Sequence, residues 1–451
     1  MIIETKSEFL EFLSDYNSND VIITPLMVDS KRHIFNNKLC LLYIKILNFP
    51  RYYTLSFNHT DAINLNYNIL NLLNSDMRKY TFNKKDLINI YNFKNVIDVN
   101  AMFYANNNKP VEFSANITNA EKRFLSMNIE HDYKFVPILK LEEKLLEYSN
   151  NLENIINQNS STLNETGFNF INDITINNLH EIEKNGLYID KNSLLVHAPD
   201  YELHINDNYI YTDYNIYTLT GRPSNSFKNL NFSALNKDTK ERDFIISRHI
   251  NNGELVYFDY EAYHFNLLAN IMKYEFPEKI PVYEYLGKYY FNKNSLSEDE
   301  YKQAKSVSFE ILYGGIDNSI AKAVPFFDKA KQFIEKMWED YIKNSYIETY
   351  ISKKKIYFRN LSDMNPNKLF NYFLQNYETE QNMIIMQKLI KYLDIYKTKL
   401  IMYLYDGFLI DFYKMDNQNV LNDIKNIIED GGKFKIKQYS GKNFGNLKKV
   451  T

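Results

Sequence analysis

The chain has 451 residues, 45% hydrophobic, 24% charged and 16% aromatic, with 12 Gly, 10 Pro and 1 Trp; that length implies roughly two to four structural units, and the apolar content excludes wholesale disorder. A net charge of −3 excludes a globally basic nucleic-acid coat, so any polyanion site must be a local patch. A single cysteine, Cys40, excludes a disulfide framework and a cysteine-based zinc site, and fits a reducing cytoplasm.

The N-terminus, MIIETKSEFLEFL, is acidic and lacks the basic-then-apolar layout of a signal peptide. With no run of about 18 apolar residues, no membrane span is expected. Residues 20–115 alternate short apolar runs with polar breaks. DVIITPLMV, KLCLLYIKIL, YYTLSF and NVIDVNAMFY read as strands, with a helical stretch near 61–73, a mixed α/β pattern. Residues 116–205 carry apolar residues three and four apart in AEKRFLSMN, LKLEEKLLEYSNNLENIINQ and INDITINNLHEIEKNG. These read as helices, the last stopped by Gly186, with an exposed connection at 158–167. From Tyr209 the pattern mixes again, with strands at ELVYFDY, IYFRN and KLIMYLYDGFLIDFY and helices at 262–274, 297–313, 326–351 and 367–397. The 8 histidines show no ligand spacing, so no zinc site is expected.

Four stretches carry chemistry. In KQAKSVSFEILYGG, Tyr301, Lys305, Phe309 and Tyr313 recur every four residues on one helix face ending at Gly314–Gly315. Such a stripe either grips a nucleotide, lysine on phosphate and rings on base and sugar, or is simply a core face. In LVYFDYEAYHFNLLANIM an apolar strand runs into Asp259, which with the backbone carbonyl of Tyr260 suits Mg²⁺, or serves as a helix N-cap. In KLIMYLYDGFLIDFY, Asp406-Gly407 between apolar runs signals a hairpin, and Asp406 is either a turn residue or the partner of Asp259 around a pair of metal ions. YTLTGRPSNSFKNLNF places Arg222 before small polar residues suited to phosphate or minor-groove contacts.

In this order the four stretches resemble the polymerase domain of family A DNA polymerases, the class of bacterial DNA polymerase I and several phage replicative enzymes, over about residues 175–450. TLTGRPSNSFKNLNF is similar to the family's TGR-L-S and N-L-Q segment, which implies that Arg222 and Asn229 contact DNA. FDYEAYHFNLLANI resembles D-Y-S-Q-I-E-L-R, which implies Asp259 and Tyr260 as metal ligands. KQAKSVSFEILYGG matches K-x-x-x-F-x-x-x-Y-G, implying a helix that closes on the incoming dNTP through Lys305, Phe309 and Tyr313. NKLFNYFLQN resembles the N-x-x-x-Q helix, giving Asn371 and Gln375 as DNA contacts. LYDGFLI resembles the H-D-E hairpin, giving Asp406, and IYFRN resembles the G-R-x-R strand, giving Arg359. LHEIEKNGLYIDKNSL is similar to the segment M-E-x-x-G-V-x-V-D upstream.

The resemblance implies a mixed α/β right-hand fold with palm, fingers and a short helical thumb, behind an N-terminal RNase H-like exonuclease-type domain. Expected boundaries are 1–115 for that domain, 116–205 for the thumb region and 206–451 for palm and fingers, the fingers at about 275–375. Implied partners are primer-template DNA and dNTPs, with processivity or replisome proteins as further candidates and no membrane. The implied cofactor is a pair of Mg²⁺ ions, with Mn²⁺ able to substitute. The implied setting is the cytoplasm, that of the host if the gene belongs to a phage of an AT-rich bacterium. Catalytic roles fall to Asp259, Asp406 and Lys305, and nucleotide contacts to Tyr260, His264, Lys302, Phe309 and Tyr313.

The departures carry information too. His264 stands where the family has the Glu that blocks a ribose 2′-hydroxyl, which opens the alternative of NTP use. Tyr301 replaces a phosphate-binding arginine, for which Lys302 or Arg248 could substitute. Gly407 replaces the glutamate after the second aspartate, which opens the alternative of a catalytically weak primer-template-binding homologue. Phe309, rather than Tyr, implies discrimination against dideoxynucleotides. In the N-terminal region Thr24, Pro25 and Leu26 occupy the strand where an Asp-x-Glu pair belongs, leaving Asp86 and Asp98, so no exonuclease activity is expected. KFKIKQYS reads as a strand with one basic face, either on the DNA backbone or at a solvated edge.

Overall fold

A computed structural model describes residues 1–111, 132–236, 238, 240–357 and 363–450. The expected helix AEKRFLSMN and Arg359 lie outside these residues. The chain divides into two compact units, Met1–Thr212 and Asp213–Thr451. The boundaries expected at 115 and 205 both fall inside the first.

The first unit opens with α1 (Lys6–Ser18), started by a capping box in which Thr5 and Glu8 satisfy each other's backbone N–H groups. A five-stranded sheet follows: β1 (Val21–Met27), β2 (Leu39–Ile46), β3 (Tyr52–Ser56), β4 (Lys79–Thr81) and β5 (Val96–Asp98), in the order β3-β2-β1-β4-β5. β1 to β3 are antiparallel, and β4 and β5 run parallel to β1. This is a mixed α/β architecture, as the alternation over residues 20–115 implies. Every residue of β2 is buried, because both faces of the sheet are covered. Phe12 and Tyr16 of α1 join Val21, Ile23, Leu42 and Ile44 on one face. Leu141 and Leu145 of α4 (Ile138–Ser160) join Leu26, Cys40 and Tyr43 on the other, so the long helix read as part of the thumb region packs on this sheet. Burial there pushes the Cys40 thiol up to about 12. Pro25 is tolerated in a central strand because pairing with β4 ends at Ile22↔Tyr80.

NVIDVNAMFY, expected as one strand, divides at Asp98: β5 ends there and α3 (Val99–Asn107) begins. The Asp98 carboxylate accepts from Ala101 N at 2.7 Å and Lys84 N at 2.8 Å, so it caps two turns at once. The helix expected near 61–73 is only a 3₁₀ segment, Tyr67–Leu73. A π-helical stretch, Phe170–Thr175, leads into α5 (Ile176–Asn185), which stops at Gly186 with φ 61° as read from the sequence.

The second unit is built on a wholly antiparallel sheet in the order β7-β8-β6-β9-β10. Its strands are β6 (Gly253–Tyr260), β7 (Lys399–Leu404), β8 (Gly407–Tyr413), β9 (Ile436–Gly441) and β10 (Lys448–Lys449). Between β6 and β7 run α6 (Tyr263–Met272), α7 (Val282–Phe291), α8 (Glu298–Gly314), α9 (Pro325–Asn344) and α10 (Pro366–Leu393); α11 (Gln418–Ile428) follows β8. α9 ends seven residues before the expected 351, because Ser345 turns left-handed at φ 62° and the chain enters a short strand, Tyr346–Glu348. That strand pairs with Lys355–Tyr357, which includes Ile356 and Tyr357, the described residues of IYFRN. KFKIKQYS forms β9, which β6 and β10 flank, so it is an interior strand and not an edge. No described helix is long and apolar enough to cross a membrane.

Candidate active site

Two neighbouring strands bring the aspartates together. β6 and β8 pair with Asp259 opposite Gly407, and Tyr260 N donates to the carbonyl of Asp406 at 3.0 Å. The hairpin closes at Leu404↔Gly407, so its two turn residues are Tyr405, at φ 51°, and Asp406. Asp259 is not a helix cap: α6 starts at Tyr263, and its cap position, Ala262, has no side-chain bond. Gly407 is required by space, since a Cβ there would come within 2.2 Å of the Tyr257 hydroxyl. Tyr257, two residues before Asp259 on the same face of β6, thus occupies the volume that a side chain at 407 would need.

Burial pushes the Asp259 carboxyl up to about 6, with the charge of Asp406 adding and those of Lys437 and Lys305 opposing. Asp406 is also raised, by burial and then by the charge of Glu378, against Arg222 and His264. Two partly desolvated carboxylates, with the charge of Asp406 raising the proton affinity of Asp259, form a ready cation site. Among the described residues, no group of three or more His, Cys, Asp or Glu side chains forms a complete metal cage. Two carboxylates with the Tyr260 carbonyl fit Mg²⁺, which keeps waters and takes substrate phosphates for its remaining positions.

α8 resolves the ambiguity of its stripe. Its buried face is Ala304, Ser308 and Leu312, and the stripe Lys305–Phe309–Tyr313 lies one step round, lining the cleft. Phe309 stands edge-on to Phe265 at 5.4 Å, and Tyr313 lies parallel to Phe309 at 6.0 Å. Lys302 faces away: it is 67% exposed and bonded to Glu298 at 2.9 Å. Arg248 is held by Asp411 at 2.8 Å. Neither candidate substitute for the missing arginine therefore reaches the cleft.

The opposite wall is set by α10. Gly221, at φ 75°, sits so close that a Cβ would meet Asn376 Oδ1 at 2.2 Å, which brings Arg222 against the helix. Arg222 Nε donates to Glu378 Oε2 at 2.5 Å, and its guanidinium lies 5.2 Å over the Tyr405 ring. Glu378, 1% exposed, also meets His264 Nε2 at 3.1 Å, while the Tyr313 hydroxyl bonds His264 Nδ1. His264 Nε2 also lies 3.0 Å from Arg222 Nη2, so the ring joins Tyr313, Arg222 and Glu378, donating to Glu378 when Nε2 carries the proton and accepting from Arg222 when it does not. Burial pushes Glu378 up, but His264 and Arg222 outweigh it and hold the carboxyl below its ordinary range.

The resulting cleft, about 550 Å³, is lined by Asp259, Asp406, Lys305, Phe309, Tyr313, Arg222, His264, Tyr260, Asn371 and Gln375. Gln375 donates to Asn371 at 2.6 Å, which fixes both amides at the cleft wall. The Tyr260 ring, in contrast, is locked below by a bond to the Ile428 carbonyl and stacking on Tyr263 at 3.9 Å, so its backbone is what it offers to a ligand. Asn229 is exposed in the turn between short strands Ser224–Phe227 and Leu230–Asn231, outside the cleft. Glu378 is the residue that sequence reasoning missed. Its only signal was its place one turn past Gln375 on the same helix face.

No protein-family model and no curated protein sequence matches the chain. Among solved structures, it is similar to the POL domain of Pol1 from M. smegmatis, determined in complex with DNA primer-template and dNTP. The TM-score is 0.70 and the identity 11%, over 98% of this chain and 99% of that one. This chain therefore shares the fold of a DNA polymerase domain.

Proposed function

We propose that this protein is a template-directed DNA polymerase of the family A type, adding dNTPs to a primer 3′ end by two-metal phosphoryl transfer without proofreading. The observation that carries this reading is the convergence of Asp259, Asp406, Lys305, Phe309 and Tyr313 on one cleft. The shared fold with a polymerase domain bound to primer-template and dNTP supports it. Asp259, Asp406 and the Tyr260 carbonyl would hold the Mg²⁺ ions, or Mn²⁺ in their place; bound there, divalent ions neutralise charge on the attacking and leaving oxygens. Lys305 binds the triphosphate and gives a proton to the leaving group. Phe309 and Tyr313 shape the space for base and sugar, and Arg222, Asn371 and Gln375 position the duplex, with Arg359 and Asn229 as outer DNA contacts. The His264 ring, held between Tyr313 and Glu378, fills the cleft beside Phe309 and favours dNTP over NTP.

The test is primer extension by Asp259→Ala and Asp406→Ala. Each should lose at least about 10³-fold in incorporation while still shifting primer-template in a gel. Retained turnover in both refutes the assignment. A wild-type protein that shifts primer-template and extends nothing would instead be a weak binding homologue. Equal incorporation of NTP and dNTP on one template would establish relaxed sugar selectivity. The absence of proofreading rests on Thr24, Pro25 and Leu26 in β1 and on Asp98, whose carboxylate is consumed as a double cap. Steady 3′ shortening of primer with Mg²⁺ and no dNTP would contradict it.

A further inference from the structure

Beside the catalytic cleft lies a second cavity of about 680 Å³, and the two share Ala262 and Tyr283 in their walls. The second cavity carries Lys279, then Lys433 and Lys435 from the chain entering β9, and Lys437 within β9, together with Tyr301 of α8. Two of these lysines have close partners. Lys433 pairs with Asp430 at 3.1 Å, and Lys435 donates to the Glu278 carbonyl at 2.7 Å. Lys437 differs. It is the direct cross-strand partner of Asp259, and residues opposite one another in an antiparallel pair project from the same face. Its ammonium has only a loose contact, 3.8 Å from Glu261.

We propose that this second cavity is a polyphosphate seat, in which Lys437 acts with Lys305 on the triphosphate of a bound nucleotide. The inference rests on the polymerase reading of the adjoining cleft. A triphosphate whose reacting phosphorus sits at Asp259 and Asp406 must send its remaining phosphates past Ala262 and Tyr283. Cations are needed there, and three other basic side chains of this unit are committed elsewhere. Arg222 is engaged by Glu378, Arg248 by Asp411, and Lys302 points to solvent beside Glu298. Lys305 approaches from the helix wall and Lys437 from the sheet wall, so together they bracket the polyanion. Tyr301, one turn before Lys305, adds a phenolic donor to the same cavity. Glu261, Glu275 and Glu278 in the same lining oppose an anion, but the pair of Glu261 with Lys437 is partly solvated, at 35% and 31% exposure, and such pairs are weak enough to exchange for phosphate.

The experiment measures steady-state dNTP incorporation and, separately, calorimetric titration of inorganic tripolyphosphate into the full chain in EDTA. Lys437→Gln is expected to raise the dNTP KM about tenfold with kcat within about twofold, and to weaken tripolyphosphate about tenfold. Lys437→Arg restores both, and Lys449→Gln, which removes the same charge from exposed β10, changes neither. An unchanged KM and unchanged tripolyphosphate affinity in Lys437→Gln overturn the proposal. So does a loss confined to primer-template affinity, which would place Lys437 on DNA. If the wild type extends no primer, the polymerase reading fails, and the titration alone still decides whether Lys437 binds polyphosphate.

Discussion

Glu378→Gln is the sharpest probe of the site, because it keeps shape and removes one charge. The native carboxylate, 1% exposed, accepts from Arg222 at 2.5 Å and meets His264 at 3.1 Å. Hydrogen bonds to charged groups contribute about 1.5–3 kcal/mol against about 1 for neutral ones, and the amide has one acceptor oxygen where the carboxylate has two. The loss is therefore about 2 kcal/mol. Glu378→Ala, which leaves the guanidinium without its partner, costs about 3 kcal/mol, at the low end for a broken buried pair because the Arg222 side chain is 26% exposed. In a unit of this size 1 kcal/mol moves Tm by about 2–4 °C, so Glu378→Gln should melt about 4–8 °C lower by calorimetry. The same change acts on catalysis. After burial, the charge of Glu378 is the main influence raising Asp406, so removing it eases Asp406 ionisation and moves the acid limb of the pH–rate profile to lower pH. A Tm within 1 °C of wild type together with an unmoved acid limb refutes the reasoning.

Asp259 gives a pH prediction of defined sign. Its folded value of about 6 lies above the ordinary 3.8, so the folded state holds the proton more tightly and stability falls as pH rises from about 4 to 6. Asp259→Asn should therefore stabilise the metal-free protein above pH 6, by up to about 3 kcal/mol, with no gain at pH 4. Urea unfolding in EDTA measures this, and Mg²⁺ should then raise the Tm of wild type but not of the variant. Gly407→Ala should destabilise by about 1–3 kcal/mol through overlap with Tyr257, and Tyr257→Leu in the same chain should recover most of it in a double-mutant cycle. Lys302→Ala should leave the dNTP KM within about twofold of wild type, since the side chain is directed to solvent.

Much of the candidate site was legible because it is written in local periodicity. An apolar run ending in Asp259, a two-residue turn holding Asp406 and a four-residue spacing through Lys305, Phe309 and Tyr313 each depend on neighbours within about one turn or hairpin. Where local signals competed, the reading went astray: NVIDVNAMFY has strand-like composition, but Asp98 as a cap turns its second half into helix. The helix at 326–351 was read too long because nothing in the composition marks Ser345 as left-handed. Which face of α8 is core and which is cleft stayed open in the sequence, since the stripe with Phe309 and Tyr313 suits either, and only the packing of Ala304, Ser308 and Leu312 decides it. The same holds for Glu378, which meets Arg222 across 156 residues of sequence, and for Lys437, brought opposite Asp259 by strand register. The sequence by itself determined the acidic pair, the helix stripe and the fold class they imply. Tertiary structure alone decided the charge partners, because burial and strand register select which ions meet, and neither is encoded in any short stretch of chain.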